Sequence, residues 1–462
     1  MKILLCTPIF EPINERWMPL GICYIAAVLK QQGHQVKIID RYVLGFSNDE
    51  EAVNNIMCED VKYFDPDIVG FSTYTPVIYD TINAVKSLRK SYKKTIILGG
   101  HHATTYPELT LKRIPEADMV IAGEGESSFA MLAGGEDKKN IPGLYWREEG
   151  QVRKSDARVI RTDLTELPLP AYELLDMDFY TTRNIYTIRS YFRSVGCMIS
   201  ARGCNNRCSF CTESLTFSGG ICLHSTEYVI ENIKMLIDKY NCDGITLYDN
   251  NFLADKSRAK SVLNAVIEEG LNKKVVYCIQ ARADDIDVEI AKLMKKAGFS
   301  KVEIGIESYN KEILKKVGKN ISIETTEKAL EICRRNGISV QANLIMGFEG
   351  ETIEVLESTR QWIKKLSVDN FKWGKLQLYP GTLLYRQKAS GVFEDKEWTK
   401  ENVDRFFSEY NLSEIPQEQR KDWEANSLRP FRQWVHHRGL MRRNSIFVLV
   451  KYYTGKILRR WN

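Results

Sequence analysis

Three cysteines of the chain, Cys204, Cys208 and Cys211, stand at C-x3-C-x2-C spacing after a short apolar stretch, residues 195–199, and Gly203. Thiolates at this spacing on a tight loop can hold three irons of a cubane iron–sulfur cluster. No fourth cysteine follows nearby in the sequence, so one iron is expected to stay open, and open metal positions are sites of chemistry. The alternative interpretation is three unrelated buried thiols, because free cysteine is often a core residue.

The same loop resembles the signature of the radical S-adenosylmethionine enzymes, whose pattern is C-x3-C-x-aromatic-C. The chain matches it at Cys204, Cys208, Phe210 and Cys211. The resemblance implies a [4Fe–4S] cluster whose open iron binds S-adenosylmethionine and cleaves it to a 5′-deoxyadenosyl radical, with Phe210 beside the cluster and the adenine. A zinc site is the metal alternative, and it would need a fourth ligand, for which His224 is the only nearby candidate.

Apolar strands alternate with amphipathic helices from about residue 190, at the roughly 30-residue period of a βα unit. Six strands are predicted, at 195–200, 243–248, 275–280, 302–306, 338–345 and 372–378. Six units are too few for a closed eight-stranded barrel, and they resemble the open (β/α)6 partial TIM barrel of the radical family. In barrels of this type, function lies at the C-terminal ends of the strands.

Those strand ends carry groups that suit the amino acid part of S-adenosylmethionine. Carboxylate and carbonyl oxygens accept hydrogen bonds from an ammonium group, and an arginine fork matches a carboxylate. The resemblance also places the adenine along the backbone that follows the fifth strand. The residues it points to are Asp249, Asn250, Arg282, Glu307, Met346 and Gly347.

The first 130 residues also alternate strand and helix, with strands predicted at 2–6, 36–40, 67–72, 95–98 and 119–122. Short, buried-looking strands separated by helices predict a doubly wound parallel sheet. Ligands of such sheets bind beyond the carboxyl ends of the strands. The residues at those ends are Thr7, Pro8, Ser72, Thr73, Tyr74, Gly99, Gly100, His101, Gly123, Glu124, Gly125 and Glu126.

This half of the chain resembles the Rossmann-like cobalamin-binding domain that precedes the radical domain in one large subfamily. The resemblance rests on Pro19-Leu20-Gly21, on the Gly99-Gly100-His101 turn and on Gly123-Glu124-Gly125-Glu126. It implies that the strand-end residues contact cobalamin. The chain has no D-x-H-x-x-G motif, so the cofactor is expected to bind without that histidine ligand. The alternative is a domain retained only as a scaffold.

The 462 residues are predicted to form four segments. These are a cobalamin-binding-like α/β domain at 1–135, a connector with a hairpin at 136–189, the partial barrel at 190–385, and a basic, mostly helical extension at 386–462. The fold class is therefore α/β, with a helical C-terminal extension.

Composition sets broader limits. A hydrophobic content of 44% and a charged content of 27% are ordinary for a soluble globular protein, and a net charge of +5 is too small to argue for a nucleic-acid partner. No apolar run approaches the ~20 residues that a membrane-spanning helix needs, and the first residues resemble a strand rather than a signal peptide. The protein is therefore expected in the cytoplasm, where reducing conditions suit an oxygen-sensitive cluster.

The C-terminal extension has no acidic residue after Glu424, and it contains the apolar run Ile446–Val450. Docking on an acidic face of the same protein is the favoured interpretation. Peripheral contact with an anionic membrane and binding of a phosphorylated substrate or carrier are the alternatives. Earlier in the extension, Trp398 and Phe406 are candidates to cover the open side of the partial barrel.

The resemblance favours a cobalamin-dependent radical enzyme that methylates an unactivated carbon through a 5′-deoxyadenosyl radical and methylcobalamin. Its implied partners are a small-molecule or lipid-like substrate and an external one-electron donor of the flavodoxin or ferredoxin type. A radical dehydratase, cyclase or rearrangement enzyme is the first alternative. A tRNA methylthiolating enzyme is disfavoured because the N-terminal cysteines do not resemble the extra cluster site of that class. A non-enzymatic iron–sulfur sensor would leave the strand-end residues without a purpose.

Overall fold

The computed structural model describes residues 1–10, 16–159, 161–213, 220–366, 368–409, 411–432 and 435. These residues form two compact units. The first consists of the described parts of Met1–Phe179, Phe210–Cys222 and Leu378–Tyr410. The second consists of Tyr180–Ser209 and the described parts of Leu223–Gln377 and of the chain from Asn411 on.

Seven strands form the sheet of the first unit: β1 Lys2–Cys6, β2 Gln35–Ile39, β3 Ile68–Ser72, β4 Thr95–Gly99, β5 Met119–Ile121, β6 Leu144–Glu148 and β7 Gln151–Lys154. Their order is β2-β1-β3-β4-β5-β6-β7. The first five pair in parallel, and the predicted hairpin, β6 and β7, adds to β5 in antiparallel fashion. This is the predicted doubly wound sheet, with its topological switch point between β1 and β3.

The helices of the first unit are Leu20–Gln31, Arg41–Leu44, Glu50–Phe64, Ile78–Arg89, His101–Thr105, Pro107–Arg113, Gly125–Ala133, Leu383–Lys388 and Lys400–Glu409. Local sequence explains their ends. Asp49 caps the Glu50–Phe64 helix by accepting a hydrogen bond from the Ala52 N–H (2.8 Å). Gly33 follows the Leu20–Gln31 helix with a φ of 84°, a left-handed conformation that favours glycine.

Six strands form the main sheet of the second unit: β8 Val195–Met198, β11 Gly244–Leu247, β12 Val276–Ala281, β13 Phe299–Glu307, β14 Ser339–Met346 and β15 Asn370–Lys375. The short strands β9 Ala201–Arg202 and β10 Cys222–Leu223 pair separately. The six strands run in the order β15-β14-β13-β12-β11-β8, and every neighbouring pair is parallel. This sequential parallel order confirms the predicted βα architecture.

The helices of the second unit are Thr226–Tyr240, Lys256–Glu268, Val288–Lys296, Lys311–Lys316, Ile323–Arg335, Ile353–Lys365 and Gln417–Trp423. A further helix, Met177–Thr181, contains the point where the chain passes from one unit to the other.

Side chains alternate along each strand of this sheet. One face of the sheet is apolar, with Val302, Ala342 and Phe371 buried, and Phe371 stacks on Phe431 beyond it (5.1 Å between centroids).

Polar residues occupy the opposite face. The strand register aligns Gln280 with Glu303, Glu303 with Gln341, and Gln341 with Asn370. We call these four residues the inner row, because they lie on the face opposite the buried apolar side chains.

The segment Leu378–Tyr410 belongs to the first unit rather than to the barrel. The Trp398 ring meets the edge of His102 at 4.4 Å between centroids, and Tyr106 donates a hydrogen bond to Glu394 (2.6 Å). Phe406 packs on Phe393 at 5.2 Å. Trp398 and Phe406 therefore pack within the first unit, and their role in covering the barrel stays a prediction.

From residue 436 on, the basic C-terminal run, including Ile446–Val450, lies outside the described residues, so its docking and membrane interpretations stay predictions. Among the residues that the structure describes, no helix combines the length and the apolar character needed to cross a bilayer.

Candidate active site

The cysteine loop follows β9. Cys204, Cys208 and Cys211 are half-buried, whereas six other cysteines are buried in the cores: Cys6, Cys23, Cys197, Cys242, Cys278 and Cys333. Gly203 opens the loop with a φ of 89°. The loop is tied down by a hydrogen bond from the Ser209 N–H to the Val317 carbonyl oxygen (2.9 Å). The three motif cysteines are therefore more accessible than the core cysteines.

Two cations lie close enough to influence Cys208. Burial raises the pKa of the Cys208 thiol, while Lys319 and then Arg282 act to lower it. Cluster ligation requires thiolates, and neighbouring positive charge favours that form. Lys319 was not identified from the sequence. It follows Gly318, which lies against the cysteine loop, since a Cβ atom there would meet the Arg207 carbonyl oxygen at 3.3 Å.

Lys319 forms a buried ion pair with Glu307. Its Nζ atom lies 2.8 Å from Glu307 Oε1, and each side chain is only 9% exposed. The pair packs over Gly305, where a Cβ atom would lie 2.5 Å from that oxygen. Glu307 has a φ of 64°, and the β13–β14 register shifts between Gly305 and Glu307. Such strained backbone in a non-glycine residue often marks a functional site.

Arg282 is also paired. Its Nε and Nη2 atoms donate to the two oxygens of Asp284 at 3.0 and 2.8 Å, and its side chain is 11% exposed. This fork is the geometry with which arginine binds any carboxylate. The structure therefore shows the expected chemistry at Arg282, with Asp284 as the present acceptor.

Asp249 has partners that differ from the expected ligand. Its Oδ1 atom accepts from the N–H groups of Ser200 (2.6 Å) and Ala201 (3.0 Å), and its Oδ2 atom accepts from the Ser200 hydroxyl. Burial raises its pKa, against the influence of Arg258 and these hydrogen bonds. The adjacent Asn250 is half-buried, and its side chain makes no hydrogen bond within the described part of the chain. Asn250 is thus better placed than Asp249 to contact a ligand.

Met346 and Gly347 end β14. Met346 is buried, and Gly347 has a φ of 107°. The Gly347 N–H donates to Glu351 Oε2 (2.5 Å), and its carbonyl oxygen accepts from the Leu412 N–H (3.1 Å). Burial raises the pKa of Glu351 to about 7. Both the N–H and the carbonyl oxygen of Gly347 are therefore held by hydrogen bonds. A backbone fixed in this way suits packing against a flat ring.

The donor set of the loop fits a cubane cluster. Within the described ranges, no three His, Cys, Asp or Glu side chains are grouped to hold one metal ion. A cubane does not need such convergence, because each of its cysteines binds a different iron. Three half-buried cysteines on one loop, with Cys208 influenced by two cations, suit that larger group.

In the first unit, side-chain hydrogen bonds hold the end of β1. The Thr7 hydroxyl donates to Asp40 Oδ1 (3.0 Å) and accepts from the Tyr42 N–H (3.2 Å), and Pro8 beside it is buried. Further on, the Ile9 N–H donates to Asp80 (2.9 Å). Hydrogen bonds within the protein thus fix the conformation of this end of the sheet.

The ends of β3 and β4 meet through backbone. Thr73 donates from both its N–H and its hydroxyl to the Gly99 carbonyl oxygen, each at 2.7 Å. A Cβ atom at Gly100, whose φ is 93°, would lie 2.8 Å from the Thr73 carbonyl oxygen and 3.2 Å from the Ser72 hydroxyl. The Tyr74 and His101 rings lie 5.5 Å apart, and burial lowers the pKa of His101. A neutral imidazole and a phenol beside a glycine turn form an uncharged surface.

The end of β5 is also a glycine turn. The Gly123 N–H donates to the Thr104 hydroxyl (2.9 Å), and Glu124 Oε2 accepts from the Thr162 N–H (2.5 Å). Gly125 begins a helix, and the Glu126 side chain is buried in its first turn. The glycine turns and small residues of this sheet edge fit a large flat cofactor, because they let backbone approach it closely.

His102 has a structural role. It is fully buried, its Nδ1 atom lies 3.2 Å from the Thr75 hydroxyl, and burial lowers its pKa to about 3. Its packing against Trp398 makes it part of the core of the first unit.

Two family models match the chain. The Radical SAM superfamily model matches residues 198–363, and the B12 binding domain model matches residues 7–133.

The chain is similar over its whole length to an uncharacterised methyltransferase of Pyrococcus horikoshii, with 31% identity over 98% of this chain and 99% of that protein. It is 26% identical to the cytidylyl-2-hydroxyethylphosphonate methyltransferase of Streptomyces wedmorensis, over 82% of this chain and 79% of the relative. It is also 26% identical to the anaerobic magnesium-protoporphyrin IX monomethyl ester cyclase of Rubrivivax gelatinosus, over 85% of this chain and 71% of the relative.

Solved structures share the fold. The methyltransferase TsrM from Kitasatospora setae, solved with cobalamin and a [4Fe–4S] cluster, gives a TM-score of 0.67 at 19% identity, covering 84% of this chain and 74% of that chain. The cobalamin-dependent radical enzyme OxsB gives a TM-score of 0.65 at 18% identity, covering 90% of this chain and 58% of that chain.

Proposed function

The chain belongs to the cobalamin-dependent radical S-adenosylmethionine enzymes, and from this membership we propose that it methylates an unactivated carbon of a small molecule. A [4Fe–4S] cluster, S-adenosylmethionine and cobalamin are its cofactors. The observation that carries the proposal is the end-to-end similarity to a relative named as a methyltransferase. When bound, these groups supply a 5′-deoxyadenosyl radical and a transferable methyl group.

The residues of the cysteine loop and those of the strand ends would bind different cofactors. Cys204, Cys208 and Cys211 would hold the cluster. The Lys319–Glu307 ion pair suits a zwitterion, because Lys319 can donate hydrogen bonds to the carboxylate of S-adenosylmethionine while Glu307 accepts from its ammonium group. This exchange keeps both buried charges paired, which matters because an unpaired buried charge is costly.

The remaining contacts orient the ligand. Arg282 can exchange Asp284 for the ligand carboxylate, and the half-buried Asn250 can contact it without breaking an existing bond. The fixed backbone at Gly347 would then bound the adenine. In the first unit, the uncharged strand ends at Thr73, Gly100 and Gly123 would hold cobalamin by close backbone approach.

The inner row gives the substrate a polar binding surface. Gln341 is 2% exposed, and its Oε1 atom has no hydrogen-bond partner within the described residues, because its Nε2 atom already donates to Asn343 (3.0 Å). The Nδ2 atom of Asn370 is likewise buried and unpartnered there. Glu303 is half-buried, and the structure gives its carboxylate no hydrogen bond among the described residues. We infer that hydroxyl, amide or ammonium groups of the substrate satisfy these atoms.

The test is anaerobic turnover after purification with cobalamin supplied. With S-adenosylmethionine and a one-electron donor such as flavodoxin, extracts of the native host provide the substrate pool. Formation of 5′-deoxyadenosine and S-adenosylhomocysteine in comparable amounts, with transfer of isotope from the labelled methyl group to a new product, supports methyl transfer. Formation of 5′-deoxyadenosine with no S-adenosylhomocysteine would overturn it.

That second outcome would favour a cyclase. The similarity to the magnesium-protoporphyrin cyclase, over 85% of this chain, makes it the leading alternative. Unlabelled product with two hydrogens fewer, or with a new ring, would identify that chemistry.

A further inference from the structure

Every polar atom of Ser200 takes part in a hydrogen bond. Asp249 accepts from its N–H and its hydroxyl, while its carbonyl oxygen accepts from Arg258 Nη2 (2.6 Å) and from the His224 N–H (3.1 Å). Asp249 also accepts from the next N–H along, that of Ala201 (3.0 Å). We call Asp249 and Arg258 together the Ser200 clamp.

The clamp lies at the start of the cysteine loop. Ser200 is four residues before Cys204, and only β9 and the Gly203 turn separate them. Asp249 follows β11, which pairs with β8, and the Tyr248 N–H donates to the Met198 carbonyl oxygen (2.8 Å) to extend that pairing. The clamp therefore continues the hydrogen bonding beyond the end of the β8–β11 pairing and holds the backbone at the start of the loop.

Asp249 is removed from solvent, and Arg258 is half-buried. Asp249 is 1% exposed, and the Nε and Nη1 atoms of Arg258 are buried without hydrogen-bond partners among the described residues. The Arg258 guanidinium lies 5.5 Å from the centre of the Phe252 ring, and its backbone N–H is held by Asp255 (2.9 Å) at the start of the Lys256–Glu268 helix. A buried carboxyl group and a half-buried guanidinium thus act on a single peptide unit.

We propose that Asp249 and Arg258 are positioning residues, which fix the Ser200 peptide and thereby the orientation of the cluster-binding loop. Neither residue then contacts S-adenosylmethionine. Asp249 is 1% exposed and already accepts three hydrogen bonds, so it could reach the ammonium group only by turning away from the buried N–H groups of Ser200 and Ala201.

The same strand pair offers a matched control at its other end. Asp243 precedes β11, and its Oδ1 atom accepts from the Ser194 N–H (2.8 Å) just before β8. This carboxylate performs the same local task at the strand starts, where its partner Ser194 is ten residues before Cys204. Asp243→Asn should therefore report on general stability without affecting the loop.

The experiment uses the full chain, reconstituted anaerobically, with Asp249→Asn, Arg258→Met and Asp243→Asn. Iron and sulfide content, the EPR spectrum of the reduced cluster without S-adenosylmethionine, the Kd of S-adenosylmethionine and the rate of 5′-deoxyadenosine formation are measured. Because misplacement by about 1 Å can cost ~100-fold in rate, we expect the two clamp variants to shift the EPR spectrum and to form 5′-deoxyadenosine at least about tenfold more slowly. The Kd should stay within about threefold, and Asp243→Asn should resemble the parent.

Two results would overturn the proposal. A Kd raised tenfold or more in Asp249→Asn, with an unchanged EPR spectrum, would make Asp249 a direct ligand. Equal spectra and rates in all three variants would leave the clamp a purely structural contact. Asp249→Asn is chosen because it keeps the shape and one acceptor oxygen, so the chain should fold. The readouts need no substrate, so they remain decisive even if the enzyme does not transfer a methyl group.

Discussion

The strand ends of the two units use different chemistry. In the first unit the ends of β4 and β5 carry glycine turns, and the end of β3 is joined to β4 through backbone, as between Thr73 and Gly99. In the second unit the strand ends carry Arg282 and Glu307, with Lys319 beside them. The first type of site discriminates by shape and volume, and the second discriminates by charge.

This difference matches the cofactors of the family. Cobalamin is large and flat, so a binding surface gains most from close backbone approach. The amino acid part of S-adenosylmethionine is a small zwitterion, so its site needs one charge of each sign. Substitutions that add volume should therefore damage the first unit, and substitutions that remove charge should damage the second.

The largest effect is expected for Cys208→Ala. Loss of one of three cluster ligands should remove the iron and sulfide and all formation of 5′-deoxyadenosine, while cobalamin still binds to the first unit. Iron analysis, the visible spectrum and corrinoid content measure the three quantities. Cys58→Ala removes another half-buried thiol, outside the motif, and should keep the cluster. Turnover in Cys208→Ala would end the radical assignment of this loop.

Gly100→Ala tests the volume-sensitive site. The new methyl group would lie 2.8 Å from the Thr73 carbonyl oxygen, at a φ of 93°. Such overpacking typically costs about 1–3 kcal/mol, added to about 1–2 kcal/mol for the left-handed backbone. We expect lower stability in urea and at least about tenfold weaker corrinoid binding, since 1.4 kcal/mol corresponds to tenfold.

Gly135→Ala is the matched control for that change. Gly135 has a φ of 83°, but no atom lies within 4 Å of an added Cβ. Gly135→Ala should lose only the stability that the left-handed backbone costs, about 1–2 kcal/mol, and its corrinoid affinity should not change. Equal corrinoid affinity in the Gly100 and Gly135 variants would contradict the role of close approach at Gly100.

The two units also differ in what their sequence reveals. The βα alternation predicted both sheets, because short apolar strands between helices leave few other arrangements. Asp249 shows the limit, since a carboxylate at a strand end has the same sequence signature whether it meets a ligand or a backbone N–H. Lys319 was missed because it follows a helix rather than a strand. Trp398 shows a second limit, because nothing local in the sequence indicated that it packs against His102.

Glu351 combines features of both types of site, because its carboxyl group accepts a hydrogen bond from the backbone N–H of a glycine, Gly347. Burial raises its pKa from 4.5 to about 7, so the folded protein binds a proton that the unfolded chain releases. The contribution of Glu351 to stability is therefore full below pH 4.5 and is lost as the pH rises to about 7, by up to about 3 kcal/mol. Glu351→Gln should remove this part of the pH dependence. Urea unfolding of both proteins at pH 5 and pH 8 measures it, and parallel pH profiles would refute the role.

The smallest effect we predict is the loss of one charge at the second type of site. Lys319→Met should weaken S-adenosylmethionine binding by about tenfold or more, because Glu307 would then repel the ligand carboxylate and lose its buried partner. Lys319→Arg keeps the charge and should recover most of the affinity. Lys256→Met is the control, since its pair with Asp287 (2.8 Å) is about half exposed and exposed pairs contribute only about 0–1 kcal/mol. Equilibrium binding to the cluster-loaded protein gives each Kd, and equal losses in Lys319→Met and Lys256→Met would show that burial of the charge at Lys319 has no special role.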